Sequence, residues 1–134
     1  MPTEAEWEYA SRAGSLSAFP WGDDITPSQA NYDQTARYRD SPTAPYRGYP
    51  EAVNAYPPNA FGLYQMSGNV WEWTSGCGGT DCMQHVVRGG SFQSAPVEVR
   101  SANRFAVNAT KRRDDVGLRV ARDLEADEMG LANK

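Results

Sequence analysis

The sequence predicts an α+β domain with little regular secondary structure, one clear helix near its start and short strands in its second half. Hydrophobic residues make up 40% of the 134 residues and aromatic residues 11%, which is typical of one packed domain and not of a disordered chain. Twelve glycines and nine prolines are scattered along the chain, so turns must be frequent. Only one segment carries a full set of helix signals.

That helix is predicted over residues 2–14, PTEAEWEYASRAG. Thr3 followed by Glu6 forms a capping box, acidic residues crowd the first turn, and Gly14 is a natural stop. One face of the helix can pack inward, and it carries Trp7, Ala10 and Ser11.

The remaining elements are short and are separated by glycine and proline. A long irregular region is predicted first, over residues 15–58, which is uncommon in a compact domain unless the region carries function or binds metal. Short elements then follow: a turn and a buried strand at 59–64, a strand at 84–88, a strand or helical turn at 97–102, a strand at 116–121, and an acidic tail at 123–134.

Residues 59–74, NAFGLYQMSGNVWEWT, are the most distinctive stretch. As a strand, this stretch would place Trp71 and Trp73 on one face and Glu72 on the other. The turn at Gly68 would leave backbone carbonyls without strand partners just before that carboxylate, and such oxygen atoms suit Ca²⁺. A tight turn that enters an aromatic strand explains the same residues without metal, and the local pattern alone favours that interpretation.

Charge and hydropathy exclude some classes of partner. The net charge of −4 gives no attraction to nucleic acid or to an anionic membrane. No apolar run approaches the ~20 residues that a membrane-spanning helix needs. The N-terminus has no signal-peptide pattern, so a cytoplasmic location is the default expectation.

Cys77 and Cys82 lie in the segment GCGGTDC. Their spacing differs from a CxxC redox motif, and His85 alone cannot complete a zinc site with them. We expect a local disulfide in an oxidising compartment and two free thiols in a reducing one.

Six sequence blocks occur in a fixed order between residues 2 and 122: PTEAEWEYA, FPWGD, NAFGLYQMSGNVWEWT, VVRGGSF, RSANR and GLRVAR. Together they resemble the formylglycine-generating enzyme family, also called sulfatase-modifying factors. The resemblance implies a variant of the C-type-lectin-like fold, with short antiparallel strands. It also implies one domain over residues 1–122 that matches only the later portion of the family pattern. Such a shortened domain would bury its exposed face by altered packing or by forming a homo-oligomer.

The resemblance also implies where copper chemistry would occur. The family's enzymes convert a sulfatase cysteine to formylglycine with molecular oxygen and copper, which two cysteine thiolates hold shortly after the RGGS block. Here Ser94 and Val99 stand near those positions, and no cysteine follows Cys82. A hydroxyl and an isopropyl group cannot replace thiolates as Cu(I) ligands, so we expect no copper and no formylglycine formation. A copper site relocated to the two cysteines is a less favoured alternative to the disulfide.

The family's first calcium site carries over to four residues. They are the side chain of Gln65, the carbonyls of Gly68 and Val70, and Glu72. A neutral amide is a weaker Ca²⁺ ligand than a carboxylate. In the alternative, Glu72 is bound by backbone N–H groups or by an arginine instead of by calcium.

A second family calcium site would begin at Asn31 and the carbonyl of Tyr32. Two alignments place different residues at the position of its acidic ligand. One uses Asp40, whereas the other places Arg47 at that position and would abolish the site.

Three arginines resemble interior positions of the family, namely Arg88, Arg100 and Arg104. We expect them to form buried ion pairs with acids such as Glu72 or Asp115.

The function that we expect is a non-catalytic scaffold or binding module of the formylglycine-generating type, stabilised by calcium, which binds an unidentified protein or small ligand. One alternative is an oxidoreductase of the sulfatase-modifying type with a relocated site. Another is a truncated remnant with no activity. A pocket lined by aromatic and polar side chains near residues 93–113 would favour the binding module over the remnant.

Overall fold

A four-stranded sheet and one helix form the framework of the computed structural model, which describes residues 1–80, 82–125, 128 and 129. Most of the predicted acidic tail at 123–134 therefore lies outside the described residues. The elements in chain order are helix α1 at Glu4–Arg12, strand β1 at Trp71–Cys77, β2 at Gln84–Arg88, a 3₁₀ turn at Pro96–Val99, β3 at Arg104–Asn108 and β4 at Val116–Gly117.

Helix α1 begins as the sequence predicts. The Thr3 hydroxyl accepts from the Glu6 N–H at 3.2 Å, and the Glu6 carboxylate accepts from the Thr3 N–H at 2.8 Å, so the capping box is present. The helix ends before Ala13, which adopts φ 47° in the left-handed region. Its predicted inward face is confirmed, since Trp7 and Ser11 are buried.

The strand order is β3-β2-β1-β4. β1 pairs antiparallel with β2, and β2 pairs antiparallel with β3, as expected. β4 instead runs parallel to β1, so the sheet is mixed. This pairing begins where the Trp71 N–H donates to the Asp115 carbonyl at 2.8 Å.

Two predicted strands are wrong in whole or in part. Only residues 116 and 117 of the predicted strand 116–121 enter the sheet. No strand forms at residues 59–64, because the Asn59 side chain accepts from the N–H groups of Phe61 and Leu63 and closes a turn. The segment at 97–102 takes the helical alternative, as part of the 3₁₀ turn.

The long irregular region at 15–58 carries a core of its own. Four of its apolar residues are buried against Val99, namely Phe19, Ile25, Ala30 and Tyr32. A second cluster lies on the sheet and contains Trp71, Val87 and Val107. Side-chain burial therefore orders this region in place of regular secondary structure.

The loop between β1 and β2 is closed by a disulfide between Cys77 and Cys82, which confirms the expected local bridge. Within the described residues, no helix has the length and apolar character needed to cross a bilayer.

A buried arginine joins α1 to the sheet. The Arg88 side chain on β2 is 4% exposed and pairs with the carboxylates of Glu4 and Glu8 on the helix. It also donates to the Ser101 carbonyl at 2.9 Å and lies over the Trp7 ring. Burial raises the pKa of the Glu8 carboxyl, but hydrogen bonds and charge attraction from Arg88 and Arg12 outweigh it and lower that pKa.

The expectation for the three arginines is therefore mostly wrong. Arg88 is buried as expected, but its partners are helix acids and not Glu72 or Asp115. Arg104 forms an exposed pair with Glu4, and Arg100 donates to the Val97 carbonyl. The two helix acids are four residues apart, so both side chains face β2. The local sequence around either element does not show this pairing.

Replacing the buried arginine should cost far more stability than replacing the exposed one. Arg88→Met leaves two helix carboxylates without their shared partner, and we expect it to lower the free energy of unfolding by about 3 kcal/mol. Arg104→Met removes an exposed pair and should cost no more than about 1 kcal/mol. Urea denaturation measures both. Equal losses in the two variants would show that Arg88 does not hold the helix on the sheet.

Candidate functional site

A polar pocket of about 180 Å³ lies beside the start of β1 and is called the Ser94 pocket here. Its polar lining consists of Ser91, Gln93, Ser94, Glu98, Arg113 and Asp115. Trp71 and Phe105 form its aromatic side, with ring centroids 5.6 Å apart. The pocket therefore combines aromatic and polar side chains, as expected of a binding module.

The glycine pair after β2 places the two serines in this pocket. Gly89 and Gly90 have φ of 96° and 76°, a region that favours glycine. A Cβ on Gly90 would meet Val99 Cγ1 at 2.4 Å, so the chain can turn here only without a side chain. The turn is then closed by the Ser94 N–H, which donates to the Ser91 carbonyl at 3.0 Å.

Asp115 is the buried charge of the pocket, with 2% of its surface exposed. Arg113 donates to both of its carboxylate oxygens at 2.8 Å, and the Ser91 hydroxyl donates at 3.1 Å. Burial raises the pKa of Asp115, but the hydrogen bonds and charge of Arg113 outweigh it and lower that pKa. Asp115 is therefore an ionised acceptor at neutral pH and not a general acid.

The two positions that the resemblance assigns to copper thiolates lie in different surroundings. Ser94 lines the pocket, and its hydroxyl oxygen accepts from the Ser91 N–H at 3.1 Å. Val99 is fully buried in the core around Phe19. One position thus offers a weak hydroxyl ligand and the other offers none.

The pocket also lacks an activated nucleophile. A serine hydroxyl needs an adjacent base. Among the described residues, the Ser91 hydroxyl is bonded to an ionised, arginine-paired aspartate, to the Ser94 hydroxyl and to the Gln93 N–H, which donates to it at 3.2 Å. The single histidine, His85, contacts the Trp73 ring and does not line the pocket. The arrangement can bind hydrogen-bond donors and acceptors.

Three of the four residues predicted for the first calcium site lie around one cleft. Gln65, Val70 and Glu72 line one cleft of about 430 Å³, whereas Gly68 does not line it. The Gln65 amide donates to the Ala52 carbonyl at 2.8 Å, and its oxygen is buried without a hydrogen-bond partner in the described structure.

Glu72 is already paired with an arginine, which is the alternative to a calcium ligand that the sequence left open. The residue is 6% exposed, and its carboxylate accepts from the Trp7 indole N–H at 2.7 Å. Arg119 donates to both carboxylate oxygens at 2.8 and 2.7 Å and also to the Tyr64 carbonyl at 2.8 Å.

The second predicted site centres on Asn31, which is fully buried. Its amide donates to the Tyr49 carbonyl at 2.9 Å, and its oxygen has no hydrogen-bond partner in the described structure. The segment that contacts Asn31 therefore includes Tyr49 and the nearby Arg47, and Arg47 pairs with Glu51. Asp40 instead lines a separate surface cavity.

Sequence reasoning missed Arg119 and Asn69. Arg119 lies in the GLRVAR block, and a buried glutamate requires a cation or several donors, so Arg119 could have been proposed as the partner of Glu72. Asn69 adopts φ 70°, and its side-chain oxygen accepts from the Glu51 N–H at 2.8 Å. No local pattern signals that contact, because the two residues are 18 positions apart.

Solved structures share this architecture. PvdO from Pseudomonas aeruginosa aligns with a TM-score of 0.68 and 32% identity over 88% of this chain and 50% of that chain. CarF aligns with a TM-score of 0.71 and 26% identity over 93% of this chain and 48% of that chain.

Curated relatives point to the same family. A formylglycine-generating enzyme of Mus musculus is 33% identical over 92% of this chain and 39% of its own length. The inactive C-alpha-formylglycine-generating enzyme 2 of Bos taurus is 36% identical over 90% of this chain and 43% of its own length. The chain thus spans less than half the length of these relatives. The family profile of the sulfatase-modifying factor enzyme 1-like domain matches residues 1–124, and the chain belongs to this family.

Proposed function

We propose that this chain is a non-catalytic sulfatase-modifying-factor-like scaffold whose Ser94 pocket binds a small polar ligand or a side chain of a protein partner. The observation that carries this proposal is the pocket itself, in which polar and aromatic walls coexist with serine and valine at the two thiolate positions. We further infer that the fold is a variant of the C-type-lectin-like fold.

The chemistry of the lining supports binding. Arg113 uses Nε and Nη2 for Asp115, which leaves its Nη1 donors for a ligand. Glu98 caps the Ala95 N–H through one oxygen, so its second oxygen can accept from a ligand. Phe105 is 47% exposed and offers a ring face at the rim. A ligand with both donors and acceptors fits these groups.

The similarity to the bovine relative supports the same function, because that protein is named as inactive. The alternative oxidoreductase with a relocated site has less support, since Cys77 and Cys82 are joined in a disulfide and neither supplies a thiolate. The alternative of a remnant without activity has less support, since the pocket is lined by both aromatic and polar side chains.

Calcium at the first site remains part of the proposal, and a buried acceptor supports it. The side-chain oxygen of Gln65 is buried without a hydrogen-bond donor among the described residues, and such an oxygen suits Ca²⁺. Glu72 would have to share its carboxylate between Ca²⁺ and Arg119, which weakens this site. At the second site, the chain beside Asn31 is the one that carries Arg47, and Asp40 lines a separate cavity, so the alternative that abolishes the site at Asn31 and the Tyr32 carbonyl is favoured. An ion at the first site would tie the loop that precedes β1 to the carboxylate on β1.

The binding function is tested by an NMR titration of the ¹⁵N-labelled chain with small polyols, amino acids and carboxamides. We expect shifts at Ser91, Ser94 and Arg113, and loss of these shifts in Gln93→Trp, where the new ring fills the exposed rim. Gln84→Trp places the same ring at the exposed first residue of β2, and this variant should bind like the natural chain. Absence of binding, or binding unaffected by Gln93→Trp, would refute the proposed site.

Calcium binding should raise thermal stability, because a ligand that binds only the folded state stabilises it. We expect millimolar CaCl₂ to raise Tm by about 3 °C or more over EGTA, a shift typical of roughly 1 kcal/mol in a domain of this size. Magnesium serves as the control ion. Gln65→Met keeps the side-chain length but removes the free oxygen, and it should reduce the rise. Identical Tm values in calcium and EGTA would contradict calcium binding.

A further inference from the structure

The charges that line the Ser94 pocket do not cancel. Arg113 and Asp115 form an ion pair, so together they contribute no net charge. Glu98 is the other charged residue of the lining, and it forms no salt bridge within the described part of the chain. The pocket therefore carries one negative charge that no side chain of its lining compensates.

The Glu98 carboxylate is held in place but keeps one oxygen available. It belongs to the 3₁₀ turn at Pro96–Val99, and one of its oxygens accepts from the Ala95 N–H at 2.8 Å. The Glu98 carbonyl accepts from the Asn103 amide at 2.9 Å, which fixes the backbone of the same residue. A ligand would thus meet a carboxylate that is already oriented, which reduces the entropy lost on binding.

A second acid adds to the negative potential at the rim. The exposed Asp114 carboxylate accepts from the Gln93 amide at 3.3 Å. The hydrogen bonds that Arg113 donates to Asp115, together with the charges of Asp115 and Asp114, raise the pKa of the Arg113 guanidinium more than burial lowers it. Both acids therefore stabilise positive charge at this end of the pocket.

The aromatic side of the pocket favours the same sign of ligand charge. Trp71 and Phe105 line the pocket together, with ring centroids 5.6 Å apart and ring planes at 32°. Aromatic ring faces attract cations, and indole attracts them most strongly. An anion would instead meet the Glu98 carboxylate and the negative ring faces, which disfavours it.

The volume of the pocket limits the ligand to a small group. It measures about 180 Å³, and a water molecule in the liquid occupies about 30 Å³, so there is room for about six non-hydrogen atoms. An ammonium group on a short aliphatic chain is of this size. The chain would contact the rings, while the ammonium group would reach the polar side.

We propose that the ligand of the Ser94 pocket is a cation, namely an ammonium group on a short aliphatic chain, supplied by a free amine or by a lysine side chain. This inference rests on the proposed binding function and assigns its ligand class. The free oxygen of Glu98 pairs with the ammonium group, and the side-chain oxygens of Ser94 and Gln93 are further acceptors for its N–H groups. Trp71 and Phe105 contact the aliphatic part.

An NMR titration of the ¹⁵N-labelled chain with n-butylammonium, n-butanol and butyrate tests the sign of the charge, since these ligands share an alkyl chain. We expect shifts at Ser91, Ser94 and Glu98 with n-butylammonium, at least ~10-fold weaker binding of n-butanol, and no binding of butyrate. The blocked peptide acetyl-Gly-Lys-Gly-amide distinguishes the sources. Tighter binding of the peptide assigns the lysine of a protein partner, and tighter binding of n-butylammonium assigns a free amine.

Glu98→Gln removes the charge but keeps an oxygen that can cap the Ala95 N–H. We expect this variant to bind n-butylammonium at least ~10-fold more weakly and to bind n-butanol as the natural chain does. Glu125→Gln is the matched control, because it removes the same charge from an exposed residue that does not line the pocket. Thermal unfolding checks that both variants remain folded.

Preference for n-butylammonium that Glu98→Gln abolishes and Glu125→Gln preserves would support the proposal. Equal or tighter binding of n-butanol or butyrate, unchanged affinity in Glu98→Gln, or an equal loss in Glu125→Gln would each overturn it. If polyols or carboxamides shift Ser91 and Ser94 while n-butylammonium does not, the cationic ligand is refuted and the binding pocket stands. If no ligand of either series binds, both are refuted.

Discussion

The buried carboxylate of Glu72 is the constraint on which the arrangement of the domain depends. It lies on β1, accepts from Trp7 on α1 and pairs with Arg119 beyond β4, so one side chain joins three separate parts of the chain. A buried carboxylate is costly unless donors surround it, and here each donor comes from a different element. Arg119 extends the junction to the loop before β1 through the Tyr64 carbonyl.

This junction also bears on the proposed calcium site. Calcium would use the carboxylate that Arg119 now occupies, so ion binding and this pairing would compete for the same side chain. The Ser94 pocket is organised separately, around the pair of Arg113 and Asp115, and does not share residues with that junction.

Local features of the fold could be predicted from the sequence. The capping box of α1 is set by residues three positions apart, the disulfide closes a short loop, and the strand at 84–88 forms over the predicted residues. The strand predicted at 116–121 is longer than the one that forms. Alternation of buried and exposed side chains does not show whether a neighbouring strand pairs with the segment. The Asn59 turn was missed because a side chain closes it.

Charge pairing was the least predictable feature of the site. Arg88 and Glu4 are 84 positions apart, and Arg119 and Glu72 are 47 apart, so only the folded chain brings them together. The block resemblance assigns Ser94 and Val99 to the two thiolate positions, of which only Ser94 lines the pocket. It could not supply the geometry of Asp115, which depends on how β4 enters the sheet.

We propose that the chain keeps the family scaffold without its copper chemistry. Metal analysis of the protein, purified from cells supplied with both copper and calcium, tests this most directly. We predict that the purified protein carries no stoichiometric copper, since serine and valine replace the two thiolates. About one copper per chain, bound to the natural protein and lost in Cys77→Ser, would contradict it and favour a relocated oxidase site.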